Sequence, residues 1–349
     1  MGPNRQNTAP FTHCFIIDFS QQSGPSLWFN LNVSKWSLRS LRKADVPSLV
    51  EAWNRCLEHD QITIDRFENL FLNDPNFDLN GSFIVESDER IVGCMIGVRR
   101  IHAEEVGDSQ VGIGWITAFF VVPEYQRLGV GSELLMHCER FLKDAGCTKI
   151  CCNGYAPYYV APGVDARYES AVGFLESRGY QVFTEPVAMG MSLEGVETPD
   201  RVKEVETELR RDGFEVVWLE EKYEEALLQF LRDEFPFWFS SVKVALDLGR
   251  RDILIAVKGS EVVGFTQWEN PLTDPPNGAL GRFGPFGVKA DLRNRGIGAV
   301  IFYRLVEEVQ SKGAKRLWFG WAGPRNLTFY ERAGCAVERR FKMFSKSFL

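Results

Sequence analysis

Hydrophobic positions along the chain follow two periods, and the whole succession of periods occurs twice. Alternating or short apolar runs predict strands at Ser37 to Arg42, Phe83 to Glu86, Ile91 to His102 and Gly112 to Val122. The same order returns at Glu215 to Leu219, Ile253 to Val257, Val262 to Glu269 and Ala279 to Val288. Between the first two strands of each series, apolar residues at helical spacing predict amphipathic helices over Val46 to Leu57 and Tyr223 to Arg232. After the fourth strand a second helix is expected in each series. Its apolar face is Leu134, Leu135, Cys138, Phe141 and Leu142 in one, and Ile301, Phe302, Leu305 and Val309 in the other. Gly146 and Gly313 supply the stops.

The repetition extends to the residues themselves. VVPEYQRLGVG from Val121 to Gly131 recurs as VKADLRNRGIG from Val288 to Gly298, an offset of 167 positions. Ile91 to Gly93 matches Val262 to Gly264 upstream, and Phe174 to Gly179 matches Phe329 to Gly334 downstream. The first half is longer by about twelve residues, and Tyr155 to Ala166, rich in Pro, Gly and Tyr, reads as the inserted loop. Between the halves, Thr198-Pro199-Asp200 opens a charged helix with Val202, Val205 and Leu209 on one face, ending at Gly213. The expected division is therefore an appendage over 1–34, a first domain over 35–195, a linker helix over 196–213 and a second domain over 214–349. The expected fold class is α+β: two domains, each a twisted mixed sheet flanked by helices. The helix opening at Gly131 or Gly298 is a crossover, so it should join parallel neighbours, the fourth and fifth strands.

Composition narrows the chemistry. Of 349 residues, 45% are hydrophobic and 25% charged, the balance of a globular chain able to bury a large core. Forty Lys and Arg against forty-seven Asp and Glu leave a net charge of -7, which argues against a general electrostatic hold on nucleic acid or an anionic membrane. The eight cysteines form no C-x-x-C and the four histidines no H-E-x-x-H, so no metal site is expected and the thiols read as reduced and structural. No apolar run approaches the ~20 residues of a membrane helix. The short apolar stretch Phe15 to Phe19 contains Asp18 and lacks a small-residue cleavage site, so a cytoplasmic protein is expected.

The repeated glycine turn carries the functional signal. A strand running into Q/R-x-x-G-x-G and then a helix gathers backbone N–H groups at the positive end of the helix dipole, which makes an anion site. The spacing is not the dinucleotide fingerprint, because Leu134 and Ile301 stand where its third glycine would be, and no G-K-[S/T] follows. The pattern resembles the acyl-CoA pyrophosphate loop of the GNAT superfamily of N-acetyltransferases, and the strand order before it and the Y-x-x-x-G helix after it match too. The resemblance extends over Trp36 to Leu349, and tandem members of the superfamily include mycothiol synthase-like and glucosaminide acetyltransferase-like proteins. It implies acetyl-CoA as acyl donor. Its pyrophosphate would be held by Gln126, Arg127, Leu128, Gly129, Val130, Gly131 and Ser132, and likewise by Arg293, Asn294, Arg295, Gly296, Ile297, Gly298 and Ala299. Backbone of Phe119 and Val121, or of Phe286 and Val288, would pair with the pantetheine arm, and the same amides would stabilise the oxyanion formed when an amine attacks.

The resemblance also separates the halves. In the second, Asn326 matches the family's cofactor-contacting asparagine and Tyr330 the tyrosine that protonates the departing thiolate. Ala171 and Leu175 stand at those positions in the first, where Tyr168, Tyr158 or Tyr159 would have to substitute. Glu269, at a strand end, is the candidate base, and Trp238 and Trp268 the candidate substrate wall. The expected activity is direct acetyl transfer to the primary amine of a small molecule, an amino sugar among the candidates, performed by the second half. A protein or peptide acceptor and an acyl-CoA-binding sensor module are the alternatives.

Overall fold

The computed structural model describes residues 36–101, 110–152, 155, 158, 160–269 and 280–348, without the side chains of Glu269 and Leu280. The first half runs β1 (Ser37–Ser40), α1 (Val46–Cys56), α2 (Ile64–Phe67), β2 (Ser82–Ser87), β3 (Arg90–Arg99), β4 (Ile113–Val121), α3 (Val130–Asp144), β5 (Lys149–Cys152), β6 (Val164–Asp165), α4 (Glu169–Ser177), β7 (Gln181–Thr184) and β8 (Val187–Ser192). Helix α5 (Asp200–Arg211) then leads into β9 (Phe214–Trp218), α6 (Glu224–Glu234), α7 (Pro236–Asp247), β10 (Ile253–Lys258), β11 (Glu261–Glu269), β12 (Leu280–Val288), α8 (Ile297–Ser311), β13 (Arg316–Ala322), α9 (Leu327–Arg332) and β14 (Ala336–Ser347). The strand expected to reach His102 ends at Arg99, and His102 and Tyr159 lie outside the described residues.

Both halves have the expected mixed sheet. Antiparallel pairing joins β1 to β2, β2 to β3 and β3 to β4, and equally β9 to β10, β10 to β11 and β11 to β12. The crossover helices make the next pairs parallel: Ile113 lies beside Lys149 in β4–β5, and Leu280 beside Arg316 in β12–β13. Each helix is fixed by its apolar face. Helix α3 buries Val130, Leu134, Leu135, Cys138 and Leu142 against β2 and β3, and α8 buries Ile297, Ile301, Leu305 and Val309 in the matching place.

The last strand of each half completes the other. Strand β8 pairs with β13, with Leu317 opposite Met191, and β14 pairs with β5, with Phe344 opposite Cys152. Since β5 and β13 are the equivalent strands of the repeat, this is a reciprocal exchange. The long β14 also runs against β8 through Ala336 to Arg340, so one continuous sheet, β1-β2-β3-β4-β5-β14-β8-β13-β12-β11-β10-β9, passes through both halves. Helix α5 lies along α8, its Glu206 accepting from Arg304 Nε at 3.0 Å and its Asp212 from Arg295 at 3.0 Å. Among the described residues, no helix is long and apolar enough to cross a membrane.

Candidate active site in the first half

The two glycine loops share one backbone form. Arg127 and Asn294 have φ of 61° and 65°, and Gly129 and Gly296, which open α3 and α8, have φ of 103° and 85°. No side chain caps either helix, so the N–H groups of the first turn remain available to an anion. A side chain braces each loop: Gln126 Nε2 donates to the Val121 carbonyl at 2.9 Å, and Arg293 Nε to the Val288 carbonyl at 3.1 Å. The Val122 N–H donates to Val92 at 2.9 Å. Alternation along β4 then turns the amides of Phe119 and Val121 away from β3, towards the gap beside β5. The ladder to β5 ends at Trp115 opposite Cys151, so from Ile116 onward the strands splay.

What fills the splay differs between the halves. In the first it is a cavity of about 470 Å³, walled by Ile116 to Val121, by Gln126, Arg127, Gly129, Gly131 and Ser132 of the loop, and by Cys152. In the second, Phe283 of β12 and Phe319 of β13 meet across the gap with ring centroids 4.8 Å apart, and Tyr330 lies 4.2 Å from Phe319. Phe286 stacks on Phe329 at 5.7 Å. The residues matching Phe283, Phe319 and Tyr330 in the repeat are Ile116, Cys152 and Leu175, all smaller. Three side-chain sizes therefore separate an open splay from a packed one. The second loop is also crowded from outside. A Cβ on Gly296 would lie 2.5 Å from Val205 Cγ1 of α5, whereas nothing approaches within 4 Å of the same point on Gly129.

Away from the loop, the cavity is bounded by Trp53, Cys56, Leu57 and Asp60 from α1 and the turn after it, and by Val160 to Ala161, Gly163 to Asp165 and Tyr168 from the inserted segment. The Tyr168 hydroxyl donates to Asp60 Oδ2 at 3.2 Å and accepts from the His59 N–H at 3.0 Å. Burial, followed by the charge of Asp60, pushes its phenol above the usual value. Asp165 is 1% exposed, and burial alone would raise its carboxyl. Hydrogen bonds from the Arg167 side chain and backbone and from Arg339 outweigh that, and hold it at about 2. Cys56 and Cys152 face the cavity as protonated thiols, since burial raises both, Cys56 to about 11. Neither is poised as a nucleophile.

The structure brings together Phe119, Val121, Gln126, Arg127, Gly129, Gly131 and Ser132 on one cavity wall, with Leu128 and Val130 in the same turn. The second-half candidates are placed differently. Tyr330 is 5% exposed, enclosed by Phe283, Phe286, Phe302, Phe319 and Phe329, and burial, then the Cys335 thiol, push its phenol up. The tyrosine expected to protonate the thiolate is thus packed among aromatic rings in this structure. Asn326 is exposed at the start of α9. Arg293, Asn294, Arg295, Ile297, Gly298 and Ala299 form the second loop as expected, with Arg295 paired to Asp212 and Ile297 buried. Trp268 requires a correction. It is 2% exposed beneath Lys312, whose Nζ lies 4.2 Å from its ring, so it offers no face to a substrate. Trp238 belongs to α7, begun by Pro236 at its first turn, and stacks on Phe235 at 4.8 Å. The Glu269 backbone pairs with Arg282, and its side chain lies outside the described residues.

Two residues went unread in the sequence. Arg178, just after α4, donates to Ser132 Oγ at 2.5 Å and brings to the loop a charge with no ion-pair partner among the described residues. Pro285 stands where the first half has Ala118, so β12 has one backbone donor fewer on the side facing β11. The signal for both lay in aligning the halves position by position. Among the described residues, no group of three or more His, Cys, Asp or Glu is placed to hold a metal ion.

A repeated splayed sheet with an anion-binding turn at the head of its crossover helix defines a class, and comparison identifies it. The acetyltransferase (GNAT) family profile matches residues 38–159 and again 206–335. The chain therefore belongs to the GNAT family, whose members are acyltransferases, and contains two GNAT domains. No curated protein matches its sequence. Among solved structures it is similar to a GCN5-related glucosamine N-acetyltransferase region of a fungal multi-domain β-N-acetylglucosaminidase, at 17% identity and TM-score 0.79, covering 90% of this chain and only 38% of that one. It is also similar to a GCN5-related N-acetyltransferase from Sphaerobacter thermophilus (18% identity, TM-score 0.64, 89% of this chain and 95% of that one). A tandem GNAT protein of the clavulanic acid biosynthesis pathway matches at 13% identity and TM-score 0.62, over 90% of this chain and 98% of that one. At these identities the likeness is one of fold.

Proposed function

We propose that this protein is an acetyl-CoA-dependent N-acetyltransferase that acetylates the primary amine of a small molecule, and that its first half performs the transfer. The observation that carries the reading is the single cavity uniting the anion-binding loop, the unpaired backbone of β4 and a tyrosine hydroxyl. Its donor set fits acetyl-CoA: the backbone N–H groups from Gln126 to Ser132, with Arg127 and Arg178 beside them, suit a pyrophosphate, and the free amides of Phe119 and Val121 suit an amide-bearing arm. Acetyl-CoA would supply the activated acyl group. Those preorganised amides then face the point where negative charge develops during attack. Leu175 has no proton to give, and Tyr168, protonated across neutral pH and on the cavity wall, takes the role of proton donor to the leaving thiolate.

In this reading the second half, with its splay packed by Phe283, Phe319 and Tyr330, supports the first and does not turn over acetyl-CoA. An amino sugar is the first acceptor to try, since one structural relative is described as a glucosamine N-acetyltransferase region. The test is thiol release from acetyl-CoA across amino sugars, aralkylamines, polyamines, amino acids and basic peptides. Release with one class of small amine is the expected result. Release with peptides alone, or acetyl-CoA binding without release from any amine, contradicts it.

A further inference from the structure

The cavity of the first half contains a part built by the second. Strand β14 passes β8 at Arg340 opposite Val187, then β6 at Phe341 opposite Asp165, before reaching β5. At that crossing Arg339 turns into the first half. Its Nε donates to Asp165 Oδ2 at 2.7 Å and its Nη2 to Asp60 Oδ1 at 2.8 Å, so one planar guanidinium spans two carboxylates from different segments. We propose that Arg339 is a positioning residue of the first half's site: it fixes Asp60 so that the unused side of its carboxylate faces the cavity and receives the ammonium group of the acceptor amine, which gives one proton to solvent before the neutral nitrogen attacks. As the C–S bond breaks, Tyr168 protonates the thiolate and is reprotonated by the second proton lost from that nitrogen.

Lone-pair accounting singles out Asp60. A carboxylate can accept about four hydrogen bonds. Asp165 accepts four: from the Arg167 N–H, Nε and Nη2, and from Arg339 Nε. It is 1% exposed and has nothing left to offer. Among the described residues Asp60 accepts only from Arg339 and from the Tyr168 hydroxyl, and its side chain is 11% exposed on the cavity wall. Its backbone is pinned as well, by Trp53 Nε1 donating to its carbonyl at 2.7 Å. The spare capacity therefore sits on a rigid carboxylate, next to the proposed proton donor and in the same cavity as the loop.

The surroundings define the class of acceptor. The described wall of the cavity that holds Asp60 also includes Trp53, Leu57, Ile116, Val160 and Val164, with Thr117 among them. The cationic groups of the wall, Arg127 and Arg178, belong to the loop end. A primary amine on an uncharged body satisfies this arrangement, whether the body is apolar or hydroxylated. A carboxylate on that body would meet Asp60 and Asp165 and no free cation among the described residues.

This inference rests on the proposed acetyltransferase reading, and the experiment separates the two. Full-length protein is first assayed for thiol release with glucosamine, 2-phenylethylamine, spermidine and glutamate, and for CoA binding by calorimetry. CoA binding without release from any of them removes the acetyltransferase reading and the inference with it. With the productive amine, Asp60→Asn is expected to raise its KM at least tenfold while the CoA Kd stays within twofold. Arg339→Gln should do the same, and Arg339→Lys should recover part of the loss. Because Arg339 acts through Asp60, adding Arg339→Gln to Asp60→Asn should change the amine KM less than twofold further. Thermal melts accompany each variant, and Asp60→Asn and Arg339→Lys keep the test open if Arg339→Gln does not fold. An unchanged amine KM in Asp60→Asn overturns the proposal. So does a double variant whose effects multiply, or turnover of glutamate in preference to the uncharged-body amines.

Discussion

Tyr168 is the side chain on which the proposed chemistry depends most. Replacing it with Phe removes only the hydroxyl, so turnover should fall about 100-fold, the scale of a lost general acid, while the CoA Kd measured by calorimetry stays within twofold. Its raised pKa keeps it protonated, so the rate should show no basic limb from this group between pH 6 and about 10. Asp165 makes a different prediction, about stability. Its folded pKa, about 2, lies below the ordinary 3.8, so its contribution is present in full above the ordinary value and is lost as pH falls from there through 2. Asp165→Asn should therefore cost on the order of 2 kcal/mol at pH 7 by denaturant titration, and the difference should vanish near pH 2. At this scale the backbone form of the loop was legible in the sequence, and the packing around Tyr330 was not. The Q/R-x-x-G-x-G spacing encodes a local backbone form, which chain neighbours alone decide. Whether Tyr330 donates a proton or fills a gap depends on Phe283 and Phe319, distant in sequence, and no helix motif reports them.

Among the elements, the parallel β4–β5 and β12–β13 pairs were legible because crossover length dictates them. The splay between them was legible only as a possibility. Its outcome follows from side-chain volume, which can be exchanged between the halves. Cys152→Phe places in β5 the ring that Phe319 places in β13, and should abolish acetyl-CoA binding for about 1–3 kcal/mol of overpacking. Phe319→Ala should cost about 3–5 kcal/mol and, if the first half performs the transfer as proposed, leave turnover unchanged, because its cavity opens in the other half. Thermal melts with parallel thiol-release assays check both. Trp238, expected in the substrate wall, lies in the first turn of α7, stacked on Phe235 and edge-on to Phe265.

For the whole molecule, the exchange of β8 and β14 is the feature that the repeat concealed. Equivalent strands carry equivalent patterns, so alternation cannot say whether β8 belongs beside β5 or beside β13. Once exchanged, the halves cease to be independent, and the second supplies both a sheet neighbour and Arg339 to the first. Duplication is then explained without two active sites. The measurement that bears most directly on this account is the number of CoA molecules bound per chain, by calorimetry, in the wild type and in Gly131→Glu and Gly298→Glu variants shown to fold. A glutamate at either position puts negative charge at the head of its helix, where the pyrophosphate would sit. The account predicts one site in the wild type, none in Gly131→Glu and one in Gly298→Glu. Two sites in the wild type, or binding that survives Gly131→Glu and is lost in Gly298→Glu, would contradict it.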